Sequence, residues 1–248
     1  MRCPRLLLDA NLAPGRRVEL PPDLLRHAVS VLRLRDGAPC QVFDGRGSEH
    51  HARLILSGRR GGAVEIGAVA AAPTTPELPL RLLQGIARGD HMDLAIQKAV
   101  ELGVGEIWPV LSARSRSAAA HRGLERKGAH WHGVLRAAAE QCGRNELPRL
   151  DPPRDFAQAL ADLPREGLRV LADPEGVPAG VWRCQEADAS AGPVTLLVGP
   201  EGGLTSEERA QGRHAGFRGL RLGPRILRTE TAAIAALTTL QLLYGDLR

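Results

Sequence analysis

Two rhythms of apolar and polar positions divide the chain. Up to about residue 70 the apolar residues come in short runs cut by Gly and Asp. Arg5 to Leu8 predicts a short strand. Pro21-Pro22-Asp23 opens a helical piece through Leu24, Leu25, Ala28 and Val29, with Asp23 as a first-turn acid. Val31 to Leu34 alternates apolar residues with Arg33 and Arg35 and runs into an Asp36-Gly37 turn. Cys40 to Phe43 predicts a strand that stops at Asp44-Gly45, and His51 to Leu56 and Ala63 to Val69 complete the set. Short strands parted by such turns predict a small β-barrel. The run from Ala70 to Glu77 holds two prolines and no apolar periodicity, as a linker does. Boundaries follow at residues 1–72 for the barrel, 73–79 for the linker and 80–248 for a second domain.

From Leu80 onward strand and helix patterns alternate. Leu80 to Ala87 predicts a strand, and Asp90 to Leu102 a helix with Ile96, Ala99 and Val100 on one face. Asp90 suits its cap and Gly103 its stop. Strands follow at Ile107 to Leu111, Leu168 to Ala172, Val194 to Val198 and Phe217 to Leu222. Helices are predicted at Ala129 to Cys142, after the capping-box match Thr205-Ser206-Glu207-Glu208, and from Thr229 to Tyr244. Such alternation predicts an α/β fold with a parallel sheet covered by helices, which binds ligands at the carboxyl ends of its strands. Gly199 and Gly223 fall at two of those ends.

Those two glycines open the turns that carry the chemistry. Val194 to Val198 stops at Gly199-Pro200-Glu201-Gly202-Gly203, and Phe217 to Leu222 stops at Gly223-Pro224-Arg225-Ile226-Leu227-Arg228. Glycine lets a backbone approach a ligand closely or take positive φ. Glu201 puts a carboxylate inside the first turn. Ile226 and Leu227, set between arginines in the second, suit the faces of a flat apolar ring. Either turn alone would pass for an ordinary strand-to-helix loop. Other nucleotide signatures are absent from the sequence: no GxxxxGK[ST], no GxGxxG after a first strand, and no GxSxG.

Composition narrows the classes further. A net charge of +5 favours an acidic partner such as nucleic acid. Only Lys98 and Lys127 are lysine, and a compositionally biased genome also yields that excess of arginine, so the charge is mild support. Cys3, Cys40, Cys142 and Cys184 form no CxxC, which argues against a zinc ribbon or redox motif. His91, His130 and His132 lack an acidic cluster to join them, so no metal is expected. The first apolar run is too short for a signal peptide, and Ala232 to Leu243 is too short and too interrupted to span a bilayer. A cytoplasmic protein is expected. Three Phe, three Trp and one Tyr are too few for an aromatic RNA-stacking platform.

Read together, Leu196 to Glu208 and Leu222 to Ala232 resemble the SPOUT-class RNA methyltransferases, and within them the RsmE family. The resemblance extends to Gly89-Asp90, Gln97 to Gly103, Ser112 to Ser115, Glu140 to Asn145, His27 to Arg33 and Phe43 to Gly45, and so covers nearly the whole chain. It implies S-adenosylmethionine as cofactor and N3 of a uridine in small-subunit (16S) ribosomal RNA as acceptor. It further implies a PUA-like N-terminal barrel, a C-terminal sheet with a deep trefoil knot, and a homodimer. Ribose-methylating relatives carry a different sequence at the start of the last helix, where this chain has Leu227 to Thr231. The segment 118–128 matches no family pattern. A methyltransferase of another RNA site, or a non-catalytic ribosome-binding protein on the same scaffold, are the competing readings.

The resemblance and the two turns assign cofactor contacts to Leu197, Gly199, Glu201, Leu222, Gly223, Ile226, Leu227 and Arg228. Arg228 is the candidate for stabilising charge on the uracil. Glu201 is the candidate base or cofactor-orienting acid. Arg33, Arg35, Arg88, Arg114, Arg116 and Arg144 are candidate RNA contacts, arginine being suited to phosphates and base stacking.

Overall fold

The computed structural model describes residues 3–58, 61–71, 76–115, 123–182 and 193–247. They form two compact units. The first spans residues 1–75 and also takes in the later segment Ala139–Leu147; the second holds Pro76–Ala138 and Pro148–Arg248. The recruited segment departs from the linear division at the proline-rich stretch.

In the first unit, β1 (Arg5–Leu7), β2 (Arg17–Glu19), β3 (Pro39–Phe43), β4 (Glu49–Ser57) and β5 (Gly61–Ala71) make one sheet in the order β1-β3-β4-β5-β2. Only β1 and β3 run parallel. Alternate residues of β3, β4 and β5, among them Val42, Leu54, Val64 and Ile66, meet Leu6 and Ala28 in one core. A short helix, α1 (Pro22–Arg26), continues as a π turn over His27–Val31. The strand expected at Val31 to Leu34 is absent. Leu34 N–H returns to Ala28 O at 2.9 Å, and Arg33 takes φ 56°. Leu32 and Leu34 pack on the core from this loop, and so copy the alternation of a strand. β2 has no apolar pattern to announce it, since Val18 is its single apolar residue.

Arg5 explains why 139–147 belongs to this unit. Its guanidinium forms a bidentate pair with Glu49 (2.8 and 3.1 Å) and donates to the carbonyls of Ala139, Glu140 and Arg144. It lies 4.4 Å from the Phe43 ring centroid. Glu140 in turn accepts the Leu7 N–H at 2.9 Å. One buried cation thus terminates the end of a helix and neutralises a buried carboxylate.

The second unit is built on β6 (Leu80–Gly85), β7 (Glu106–Leu111), β8 (Arg149–Leu150), β9 (Arg154–Asp155), β10 (Arg169–Pro178), β11 (Val194–Val198) and β12 (Arg218–Arg221). Their order is β12-β10-β11-β6-β7-β8, with β9 also on β7, and every ladder is parallel. β6 and β11 are buried along their whole length, as central parallel strands are. The helices are α2 (Asp90–Glu101), α3 (Leu124–Cys142), α4 (Phe156–Ala161), α5 (Ser206–His214) and α6 (Thr229–Tyr244).

Gly89 (φ 49°) rather than Asp90 is the cap residue of α2, and no side chain caps it. The capping box of α5 is present on both sides: Thr205 accepts from Glu208 N–H, and Glu208 accepts from Thr205 N–H. α2 buries Met92, Ala95, Ile96, Ala99 and Val100. α6 packs along it, and Gln241 donates to Leu102 O at 2.7 Å. No helix among the described residues is long and apolar enough to cross a membrane.

Candidate functional site

β11 and β12 flank β10, so the turns that leave their carboxyl ends open onto one region. β10 reaches further than its apolar run suggests. Its register against β12 shifts between Ala172 and Val177, so the intervening residues bulge. Asp173 and Pro174 from this bulge join the two glycine turns around a cavity of about 300 Å³. Gly199, Glu201, Leu222, Gly223, Ile226 and Leu227 all line it. Leu171, Leu204, Leu220 and Ala232 add apolar surface. Ile226 is 79% exposed, a large apolar side chain left bare at the rim. Gly223 has φ 103° and open space where a side chain would stand, which keeps this wall thin.

The first turn is held from four directions. Thr229, first residue of α6, donates its hydroxyl to Gly199 O at 2.6 Å and accepts from the buried amide of Gln84 at 2.9 Å. Glu201 accepts the main-chain N–H of Arg88 at 2.7 Å. Arg114 donates to Gly202 O at 2.5 Å. Gly85, at the end of β6, packs so closely that an added Cβ would stand 2.5 Å from Pro200 N. Nearby, Glu208 accepts Ala113 N–H at 2.7 Å, tying the start of α5 to the loop after β7. A turn fixed at so many points presents its main-chain groups to a ligand without first having to order them.

A mostly apolar slot with backbone polar groups at its edges and Asp173 and Glu201 at its margin suits a flat heterocycle joined to a polar, cationic tail. Two family profiles match the chain: "RNA methyltransferase domain" over residues 74–241 and "RNA methyltransferase PUA domain" over residues 20–66. Ribosomal RNA small subunit methyltransferase E of Bacillus subtilis is 31% identical over 90% of this chain and 90% of its own. The chain belongs to the ribosomal RNA small subunit methyltransferase E family. A Neisseria gonorrhoeae member of this family, solved bound to S-adenosyl methionine, is 36% identical with a TM-score of 0.91, and each chain is covered completely. A Legionella pneumophila protein solved with the bound cofactor SAM is 32% identical, with the same TM-score and coverage. The first unit is accordingly PUA-like, and the second is the methyltransferase domain of the family.

Of the eight residues assigned to the cofactor, two stand off the cavity. Leu197 is 1% exposed and packs in the core beneath the turn with Leu83 and Leu171. Arg228 is exposed and takes the cap position of α6, between the lining residues Leu227 and Thr229. It is ion-paired with neither nearby acid: Glu230 meets His91 at 3.1 Å, and Glu201 takes the Arg88 N–H.

The arginines proposed for RNA separate as clearly. Arg33 and Arg35 are exposed in the first unit. Arg88 and Arg114 are exposed beside the first glycine turn in the second. Arg144 is only 8% exposed, and its carbonyl receives Arg5, so its side chain lies inside the fold rather than on an open face. Arg116 lies outside the described residues, as do Cys184 and positions 118–122.

Sequence reading missed Asp173, Thr229 and Gln84. Asp173-Pro174 at a strand end was a usable signal for the first. Nothing in sequence marks Gln84, a polar residue in an apolar run whose partner lies 145 positions away. Among the described residues no three His, Cys, Asp or Glu side chains gather to hold a metal.

Proposed function

We propose that this protein transfers the methyl group of S-adenosylmethionine to N3 of a specific uridine in small-subunit (16S) ribosomal RNA. The observation that carries this reading is the slot between the two glycine turns, in a chain of this family whose solved neighbours hold that cofactor. The residues present fit the group. Leu171, Leu220, Leu222 and Ile226 offer apolar faces to an adenine, and the main chain of the turns offers donors and acceptors to its edges. Asp173 and Glu201 offer carboxylates to hydroxyl or ammonium groups. When bound, S-adenosylmethionine supplies an electrophilic methyl on a sulfonium.

The chain's own part is to hold the acceptor base in line with that methyl and to manage the N3 proton. Gly199, Glu201, Leu222, Gly223, Ile226 and Leu227 hold the cofactor, and Leu197 supports the turn from below. Arg228 stabilises charge that develops on the uracil. Arg33, Arg35, Arg88 and Arg114 contact RNA, and the PUA-like unit contributes to its capture. A trefoil knot with α6 threaded through a loop, which the resemblance implies, is consistent with Thr229 sitting against Gly199. A two-fold dimer in the cytoplasm completes the reading.

Two measurements test it together. Calorimetry should detect S-adenosylmethionine binding to the isolated protein. Mass mapping of small-subunit RNA from cells with and without the gene should show one N3-methyluridine that depends on it. Unchanged methylation in the deleted strain would refute the assignment of substrate.

A further inference from the structure

Glu201 lies in the cofactor slot, and a carboxylate there invites the role of base. Its hydrogen bond points elsewhere. Oε1 accepts the main-chain N–H of Arg88 at 2.7 Å, a short charge-assisted contact across 113 residues of sequence. Arg88 sits in the loop after β6, where Gly89 turns the chain at φ 49° before α2 begins. The other end of that turn faces a second carboxylate: His91 Nδ1 lies 3.1 Å from Glu230 Oε1, on the first turn of α6. Glu201 of the first glycine turn thus holds the Arg88 amide, and Glu230 of α6 faces the His91 ring three residues on. The Arg88 guanidinium is exposed and has no hydrogen-bond or ion-pair partner among the described residues. The loop is held tightly while its one long cation is left free.

We propose that Glu201 is a positioning residue, and that it acts through Arg88. The carboxylate fixes the Arg88 main chain against the cofactor turn and leaves its exposed guanidinium to meet an anionic group of the acceptor nucleotide. That group is either a phosphate or the deprotonated base. This assignment rests on the methyltransferase reading above. Glutamine keeps an acceptor oxygen for the Arg88 N–H, and alanine removes it. The two substitutions therefore separate a positioning acceptor from a proton acceptor.

The test is steady-state methylation of small-subunit particles, alongside calorimetric S-adenosylmethionine affinity, for wild type, E201Q, E201A, R88A and the double variant E201A/R88A. R88A should lower kcat/KM for RNA by about 10- to 100-fold, within the range of one lost charged contact, while cofactor affinity stays within a few-fold. Measured at saturating S-adenosylmethionine, which cancels any loss of cofactor affinity, E201A should fall into the same range, E201Q should lose clearly less, and the double variant should be no worse than R88A alone. The pH–rate profile of E201Q should keep its limbs.

If the effect of R88A appears in KM with a shallower salt dependence, the anion is a phosphate; if it appears in kcat, it is the base. The assignment is overturned if E201Q is as inactive as E201A, or if the losses of E201A and R88A multiply. A wild-type protein that binds no cofactor or methylates no RNA defeats the underlying reading, and this assignment falls with it.

Discussion

Replacing Gly85 with alanine probes the contact on which the slot depends. Gly85 ends β6, and the Cβ it lacks would stand 2.5 Å from Pro200 N, 2.7 Å from Pro200 Cδ and 2.8 Å from Gly199 C. Non-bonded carbon contacts settle at about 3.5–4.0 Å, so the turn must withdraw by about 1 Å. The opposing atoms belong to the main chain and to a proline ring, with no flexible side-chain end to swing aside. Gly85 itself has an ordinary φ, so the strain is all in the contact. Overpacking of this kind costs about 1–3 kcal/mol of stability.

The larger effect should fall on the ligand, because the displaced atoms are those that face it. A loss of about 1.4 kcal/mol or more in binding is a tenfold weaker Kd. Urea unfolding and calorimetric titration with S-adenosylmethionine measure the two quantities. Gly105→Ala is the control. Its Cβ would meet only Leu80 O at 3.7 Å, an ordinary contact, and both quantities should stay at wild-type values. Wild-type affinity together with wild-type stability in Gly85→Ala would show that the close approach does not set the slot.

Further outcomes can be checked in the same way. Arg5→Leu should destabilise the protein by about 3–5 kcal/mol, because it leaves a buried carboxylate without its partner. The Arg5 and Glu49 side chains are 8% and 5% exposed; a loss below about 1 kcal/mol in urea unfolding would contradict this. Thr205→Ala should cost about 1 kcal/mol as a lost helix cap. Glu208→Ala should cost more, since it removes the acceptor of both Thr205 N–H and Ala113 N–H; the reverse ranking would count against the reading. Glu106 gives a pH dependence. Burial pushes its carboxyl up, but hydrogen bonding and charge from Arg81, the charge of Arg149 and the Trp108 indole outweigh it and hold the group below its ordinary value. A lowered folded pKa means that Glu106 contributes stability above the unfolded value of about 4.3, and that this is lost as pH falls through the folded one. The stability gap between wild type and Glu106→Gln should therefore be present at neutral pH and close on acidification; a gap that does not change with pH would refute it.

Much of this architecture is local, and local features are legible in a sequence. The capping box at Thr205 and Glu208, the apolar runs of β6 and β11, and the span of α6 follow from residue type and spacing over a few positions. The parallel sheet follows from their alternation, and the two glycine turns from strands that stop at glycine. The family resemblance rested on these same segments. Tertiary structure decided what depends on distant partners. Leu32 and Leu34 read as a strand, yet they reach the core from a loop, because alternation reports which side is buried and not how the backbone gets there. Arg144 read as an RNA contact and is buried, because residues 139–147 return to the first unit, where Arg5 holds their carbonyls. The closure of Gly85 on Pro200, the Gln84–Thr229–Gly199 chain and the grip of Glu201 on Arg88 each join residues more than a hundred positions apart. Residue type proposes that a carboxylate can act in a slot; only the packed chain determines which hydrogen it holds.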